Sequence, residues 1–237
     1  MNHPKLLLVL PTLLLVATLS GCSKTYKGEG AIVSDIREIG TFDKVALNMD
    51  AIVRITDTTG YGCTVNAQQN LLEAIVTRLD GKTLVITTKG DVDTDQPIEI
   101  LLNMERAQAF EVNGSGEISS TNTLKNEYID FEVNGSGHLE LDAVAVKITG
   151  AVTGSGMVNL TGSANDLDVE INGSGSVNAE RFSVLRSKAK ISGSGEILVL
   201  AEKSLDAHVN GSGIVSYRGN AVVDKKISGS GEVKKLD

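Results

Sequence analysis

The tripeptide Gly-Ser-Gly occurs seven times, with first glycines at Gly114, Gly135, Gly154, Gly173, Gly193, Gly211 and Gly229 and closing glycines at Gly116, Gly137, Gly156, Gly175, Gly195, Gly213 and Gly231. Successive copies lie 21, 19, 19, 20, 18 and 18 residues apart. Self-similarity at such a period is the signature of a solenoid, in which each unit buries its apolar face only by stacking on its neighbours. The flanks repeat as well. A β-branched residue precedes each ladder position (Asn113, Asn134, Thr153, Asn172, Ser192, Asn210, Ser228), and an aliphatic one follows two places after each tripeptide, from Ile118 to Val233. Within a repeat, Leu167-Asp168-Val169-Glu170-Ile171-Asn172 alternates apolar and polar with period two, the pattern of a strand. After Glu111 no stretch carries a helical period long enough for a crossover helix. The expected fold is therefore all-β, a parallel β-helix with coils of about 19 residues stacked ~4.8 Å apart.

In that arrangement the glycines mark a corner. They are needed there for a positive φ or for close approach of adjacent coils. The seven residues before them should align as an outward polar ladder. The region Gly28–Glu111 lacks the tripeptide but is strand-rich, with strands expected over Ala51–Thr56, Cys63–Ala67, Thr83–Thr88 and Ile98–Asn103. Leu71–Leu79 fits a short helix or another strand equally well. This part should begin the same solenoid and cover its first coil. At the other end, Lys234 and Lys235 should discourage edge-to-edge growth.

The chain opens with Lys5 and then Leu6–Leu19, an apolar run too short for the roughly 20 residues that span a bilayer. That is the layout of a secretory signal peptide. The run ends in Leu19-Ser20-Gly21-Cys22, which resembles the bacterial lipobox. The resemblance implies cleavage before Cys22, diacylation of that residue and attachment to a membrane. Two or more acyl chains hold a protein durably, at ~0.8 kcal/mol per buried CH₂. Ser23, where an Asp would retain the protein at the inner membrane, implies the outer membrane by resemblance to the lipoprotein sorting rule. The expected organisation is a signal peptide over 1–21, a lipidated tether over 22–30 and a β-solenoid over 31–237. The solenoid divides into a strand-rich part, 31–111, and a Gly-Ser-Gly part, 112–237.

Function classes narrow quickly. A formal charge of −8 with no basic stretch excludes the phosphate-neutralising footprint of a nucleic-acid binder. The Gly-Ser-Gly loops do not make a dinucleotide fingerprint, since the sixth position is Ser119, Glu140, Asn159 or Asn178. Asp91-Val92-Asp93-Thr94-Asp95 opens like an EF-hand loop, then departs from it with Gln96 for Gly and Leu102 for Glu, leaving a solvated acidic turn. Asn-Gly-Ser at Asn113, Asn134, Asn172 and Asn210 is a by-product of the repeat. With Cys22 acylated, Cys63 has no disulfide partner, and no histidine lies near it in sequence to activate it. His138 and His208 read as lone surface residues. Glu117, Glu196 and Glu232 fall at one repeat phase, but no catalytic pair emerges. No catalytic residue, metal or cofactor is expected.

Gly40-Thr41-Phe42-Asp43-Lys44-Val45, Asn70-Leu71-Leu72, Asp80-Gly81-Lys82-Thr83-Leu84-Val85-Ile86 and Pro97-Ile98, taken with the seven tripeptides, resemble the head GIN domain of auto-transporter adhesins from Gly28 to the C-terminus. The resemblance implies a secreted or lipid-anchored β-helix without catalytic residues. This chain differs from an auto-transporter in carrying a lipobox and having no room for a membrane barrel. The expectation is a non-catalytic cell-envelope lipoprotein, held to the membrane by Cys22, whose rigid solenoid binds a surface polysaccharide or protein. The alternatives are a carbohydrate-active enzyme on the same scaffold and a purely structural envelope component.

Overall fold

Seven ladder residues stack in one unbroken column. Asn113 pairs with Asn134, Asn134 with Thr153, Thr153 with Asn172, Asn172 with Ser192, Ser192 with Asn210 and Asn210 with Ser228, every step parallel. The molecule is a parallel β-solenoid, seen in a computed structural model that describes residues 24–237. Residues 1–21 and Cys22, with the leader and lipidation readings that rest on them, lie outside the described residues.

The described residues form nineteen strands. The first part of the chain contains β1 (Thr25–Lys27), β2 (Ile32–Arg37), β3 (Lys44–Leu47), β4 (Ile52–Asp57), β5 (Gly62–Gln68), β6 (Ile75–Asp80), β7 (Thr83–Thr88), β8 (Asp91–Asp93) and β9 (Glu99–Met104). The repeat begins with β10 (Ala109–Gly114), β11 (Glu117–Ser120) and β12 (Leu124–Gly135). It continues with the long, corner-turning β13 (His138–Gly154), β14 (Met157–Gly173), β15 (Ser176–Gly193) and β16 (Glu196–Gly211). It ends with β17 (Ile214–Arg218), β18 (Val222–Gly229) and β19 (Glu232–Lys235).

Two walls meet at the Gly-Ser-Gly corner. One stacks β7, β3, β10, β12, β13, β14, β15, β16 and β18; the other stacks β9, β4, β11, β13, β14, β15, β16, β17 and β19. Nine layers at ~4.8 Å make a body on the order of 38 Å long. Between the walls lie aliphatic columns, such as Leu47, Val112, Val133, Val152, Ile171, Ile191 and Val209, all buried. Differences in repeat length are absorbed away from the glycine corner, at bulges near Asn159/Thr161, Ala179/Ser183 and Val184/Arg186.

The first part of the chain begins the solenoid as expected, but it makes two coils and does not run in stacking order. The β3–β4 coil lies between the β7–β9 coil and the first Gly-Ser-Gly coil, β10–β11. Local alternation specifies strands, while the choice of stacking partner is made by long-range packing, which no local pattern records. Beyond the β7–β9 layer, the parallel order gives way to antiparallel pairing of β5 with β9, β2 with β5, and β6 with β7. Arg37 on β2 ties the two walls together here. Its guanidinium donates to the carbonyls of Ile75 and Leu72 and to Thr77 Oγ1, at 2.8–3.2 Å. The end is thereby capped. Leu71–Leu79 resolves as strand: a 3₁₀ turn at Gln69–Leu71 ends where the segment begins, and after a turn β6 runs from Ile75.

Residues 25–30, within the stretch read as a tether, are part of this cap. β1 pairs with β8, Gly28 N–H donates to the Asp93 carbonyl, and Glu29 N–H donates to Asn70 Oδ1. At the far end two core columns finish on lysines, while others finish on Val223, Ile227 and Val233. Lys225 stacks on Ala207 and Lys235 on Tyr217, so each takes a position whose equivalents in earlier coils are apolar. An ammonium over an open core opposes docking of another coil. The guarding residues are therefore Lys225 and Lys235, one on each wall.

Candidate functional site

The corner where the walls meet is the most regular surface of the molecule. Each first glycine has a φ between 108° and 136°. From Gly135 onward, a Cβ on that glycine would lie 2.3–2.7 Å from the carbonyl oxygen of the equivalent glycine one coil before. The closing glycines from Gly116 to Gly213 are buried, and from Gly137 onward a Cβ on a closing glycine would meet an aliphatic side chain at 2.4–2.6 Å. From the second to the sixth tripeptide, the middle serine donates its backbone N–H to the first glycine of the previous coil, as in Ser174 N–H to Gly154 O at 2.8 Å. Its hydroxyl faces solvent: Ser115, Ser136, Ser155, Ser174, Ser194, Ser212 and Ser230 are all exposed.

The ladder runs along this ridge and divides into two parts. Asn134 Nδ2 donates to Asn113 Oδ1 at 3.0 Å, and Asn113 Nδ2 donates to Asn48 Oδ1 at 2.6 Å. Asn48 of the β3–β4 coil thus extends the ladder by one step. In this upper part Asn113 and Asn134 are half-buried and the asparagines bond one another, with Asn113 Nδ2 also donating to Glu111 Oε1 at 2.6 Å. The lower part, Thr153, Asn172, Ser192, Asn210 and Ser228, is exposed, and its one side-chain bond among the described residues is Asn172 Nδ2 to Glu170 Oε1 at 3.2 Å. Ladder and serine column together line the lower ridge with neutral donors and acceptors at the coil spacing. Sequence reasoning passed over the serines as turn residues, although a turn makes no demand on that side chain and all seven copies carry the same one. That constancy was the available signal.

The wall beside the ladder carries interlocked charges. Lys147 Nζ lies 2.6 Å from Asp168 Oδ2, a contact that raises the ammonium pKa. Arg186 grips Asp166 through two bonds of 2.6 and 2.7 Å. The guanidinium's hydrogen bonds hold the Asp166 carboxyl below the usual range. Between these pairs and the corner, Thr149-Gly150-Ala151 forms an open shallow step bordered by Asp130, Glu132, Asp168 and Glu170. Gly150 is required because the Phe131 ring of the previous coil packs against it from inside, where a Cβ would come within 2.0 Å of Cζ.

The remaining sequence candidates are dispersed. Glu117, Glu196 and Glu232 do share a column, but His138, Met157 and Ser176 separate the first two and Ile214 the last two. His138 lies 3.4 Å from Asn159 Nδ2, and His208 lies 3.1 Å from Asp206. In the acidic turn, Thr94 Oγ1 donates to Gln68 Oε1 at 2.6 Å and accepts from Gln96 N–H at 3.0 Å, while Asp91 and Asp93 project outward from β8. Cys63 is buried in β5, and burial pushes its thiol up to about 11. Among the described residues no group of three or more His, Cys, Asp or Glu is placed to hold a metal ion.

A protein-family comparison matches residues 41–221 to the family described as "Putative auto-transporter adhesin, head GIN domain". The chain belongs to this family. Solved structures share this fold over nearly their whole length. An adhesin-titled protein of Bacteroides fragilis NCTC 9343 superposes with a TM-score of 0.83 at 19% identity, covering 89% of this chain and 100% of that one. One from Parabacteroides distasonis ATCC 8503, titled "putative lipid binding protein", gives 0.77 at 23% identity, covering 90% and 100%. A third, an adhesin-titled protein of Parabacteroides merdae ATCC 43184, gives 0.72 at 19% identity, covering 90% and 99%. At these identities the likeness is one of fold. No curated protein sequence matches the chain.

Proposed function

We propose that this head GIN domain is a non-catalytic adhesion module of the cell envelope, anchored through lipid on Cys22, that binds an extended polymer along its lower corner ridge. The observation that carries the reading is the continuous exposed column from Thr153 to Ser228, flanked by the serine hydroxyls. Neutral groups repeating every ~4.8 Å on a convex edge suit a long repeating partner, since small ligands want a concave, mostly apolar pocket. Each coil contributes one weak contact, and several acting together give useful affinity. The family description and the adhesin titles of the structural neighbours agree with this role.

The test truncates exposed ladder side chains and spares the self-bonded upper asparagines. Thr153→Ala, Asn172→Ala, Ser192→Ala and Asn210→Ala together remove four contacts, worth about 2–6 kcal/mol at ordinary net hydrogen-bond strengths. Affinity for purified envelope polysaccharides or host matrix proteins should fall at least roughly thirtyfold. Added salt should change it little, because the ladder is uncharged. Parental binding by the folded quadruple variant would remove the ridge from the binding surface.

Anchoring has its own test. Cys22→Ala should abolish incorporation of radioactive palmitate and release the protein from membranes. Continued palmitate labelling of that variant would overturn the assignment of the lipid to Cys22.

A further inference from the structure

We infer that the capped end of the solenoid rests on the lipid surface, with the outward side chains of β2 in the membrane interface and the last coil farthest from the bilayer. This rests on the reading of Cys22 as the acylated residue. The ordered fold begins almost at once after it, since β1 starts at Thr25. Three residues of fully extended chain reach no more than ~10–11 Å. The start of the fold is also tied down. Asp91 N–H donates to the Lys24 carbonyl at 3.1 Å, Gly28 N–H to the Asp93 carbonyl at 2.8 Å, and Asn70 Nδ2 to the Lys27 carbonyl at 2.7 Å. All three partners belong to the cap. A lipid on Cys22 therefore pulls the cap, and no other part of the molecule, against the membrane.

The cap surface suits that contact. Ile32 and Ile36 project from the same face of β2 and are 46% and 81% exposed, and Leu79 of β6 adds a third exposed apolar side chain on the facing wall. Apolar side chains of this size on an exposed strand are a liability in water and an asset at a bilayer interface. Lys24 Nζ stands 4.5 Å above the Tyr26 ring, two residue types that sit with apolar bodies at the headgroup level and polar tips in water. The opposite end also exposes apolar side chains, Val222 and Ile227, but it closes two core columns on Lys225 and Lys235 and, on the order of 38 Å away, is beyond the reach of so short a tether when the cap is down. This orientation holds the corner ridge upright, as a strip running away from the cell.

The chain contains no Trp, so a single introduced indole reports on one place. Ile36→Trp and, at the far end, Val222→Trp both replace exposed side chains and should fold normally. Each full chain is purified from membranes of a bacterial host, its N-terminal acylation checked by mass spectrometry, and reconstituted into phosphatidylethanolamine–phosphatidylglycerol vesicles carrying acyl chains brominated near the headgroup. The expected result is a several-fold loss of emission for Ile36→Trp and none for Val222→Trp. Acylated, vesicle-bound Ile36→Trp that keeps its emission overturns the orientation and leaves the anchor standing. An unacylated N-terminus overturns the anchor, and this inference with it. An indole shielded from aqueous acrylamide yet unquenched by bromolipid shows that a protein strand covers β2, and also overturns it.

Discussion

Gly173→Ala should destabilise the solenoid by about 2–6 kcal/mol, summing ~1–3 for a side chain forced to strained positive φ and ~1–3 for overpacking. The φ there is 136°, and the added Cβ would lie 2.4 Å from the Gly154 carbonyl oxygen, a backbone atom already accepting the Ser174 N–H. Neither atom can retreat without breaking the stack. For a domain of this size the shift corresponds to roughly 5–20 °C in Tm. Gly175→Ala fails for a different reason. Its φ is not in the positive region, and the new Cβ would meet both Gly156 O and Val152 Cγ1 at 2.6 Å. Val152→Ala removes one of those two obstacles, so the double variant should show a favourable coupling of ~0.5–3 kcal/mol; Gly173→Ala, blocked by backbone alone, should show none with Val152→Ala. Ser174→Ala, on the exposed residue between them, should stay within about 0.5 kcal/mol of the parent. Thermal and urea melts of the parent and the six variants check the whole set. A Gly173→Ala melt indistinguishable from that of Ser174→Ala would show that the corner does not depend on glycine geometry.

Those glycines are also why the repeat half was legible. A residue type that the backbone demands at the same point of every coil leaves a periodic mark, and period-two alternation between the marks fixes which side chains face inward. Ile118, Leu139, Val158, Val177, Ile197, Val215 and Val233 share one buried column, and the ladder residues share an outward one, both as the spacing implies. The N-terminal part has no such mark. The spacing places four of its nine strands, β4, β5, β7 and β9, to within a residue and leaves β1, β2, β3 and β8 unmarked, and nothing local tells β3 that its neighbours are β7 and β10, sequence-distant on both sides. The same holds for the site. Alignment of the ladder followed from the period, but the split between a self-bonded upper part and an open lower part depends on rotamers. Asn113 and Asn134 bond in sequence only because asparagine follows asparagine across successive coils, whereas Thr153 interrupts the series and leaves the next residues to solvent. At the open end, Lys225 sits at an apolar column position that register reveals and exposure alone hides.

Deleting one whole coil should be far less damaging than deleting part of one. Removal of Gly154–Asn172 joins Thr153 to Gly173 and sets Ser176 over His138, Val177 over Leu139 and Ile191 over Val152, each pair matching the chemistry of the contact it replaces. The main cost is the one nearest-neighbour interface lost, because in a solenoid each unit touches only the units beside it, with a smaller exposed penalty where Lys147 comes beside Arg186 once Asp166 and Asp168 are gone. The shortened protein should remain cooperative and β-rich, with a hole only where Gly150 now faces Ala189 in place of Val169. Removing Gly154–Leu160 instead takes out a corner and the start of one wall. Thr161 would then follow Thr153 with no tripeptide between them, so the chain could not turn, and the coil's remaining Leu167, Val169 and Ile171 could not reach their columns. Deleting several large core side chains from register costs about 2–5 kcal/mol each, which is comparable with the entire stability of an ordinary domain. The seven-residue deletion should therefore unfold the solenoid or leave a molten array, while the nineteen-residue deletion melts as one transition in urea. Equal stability of the two would mean that the coils are not stacked in the register described, since only an in-register stack distinguishes a complete turn from a fraction of one.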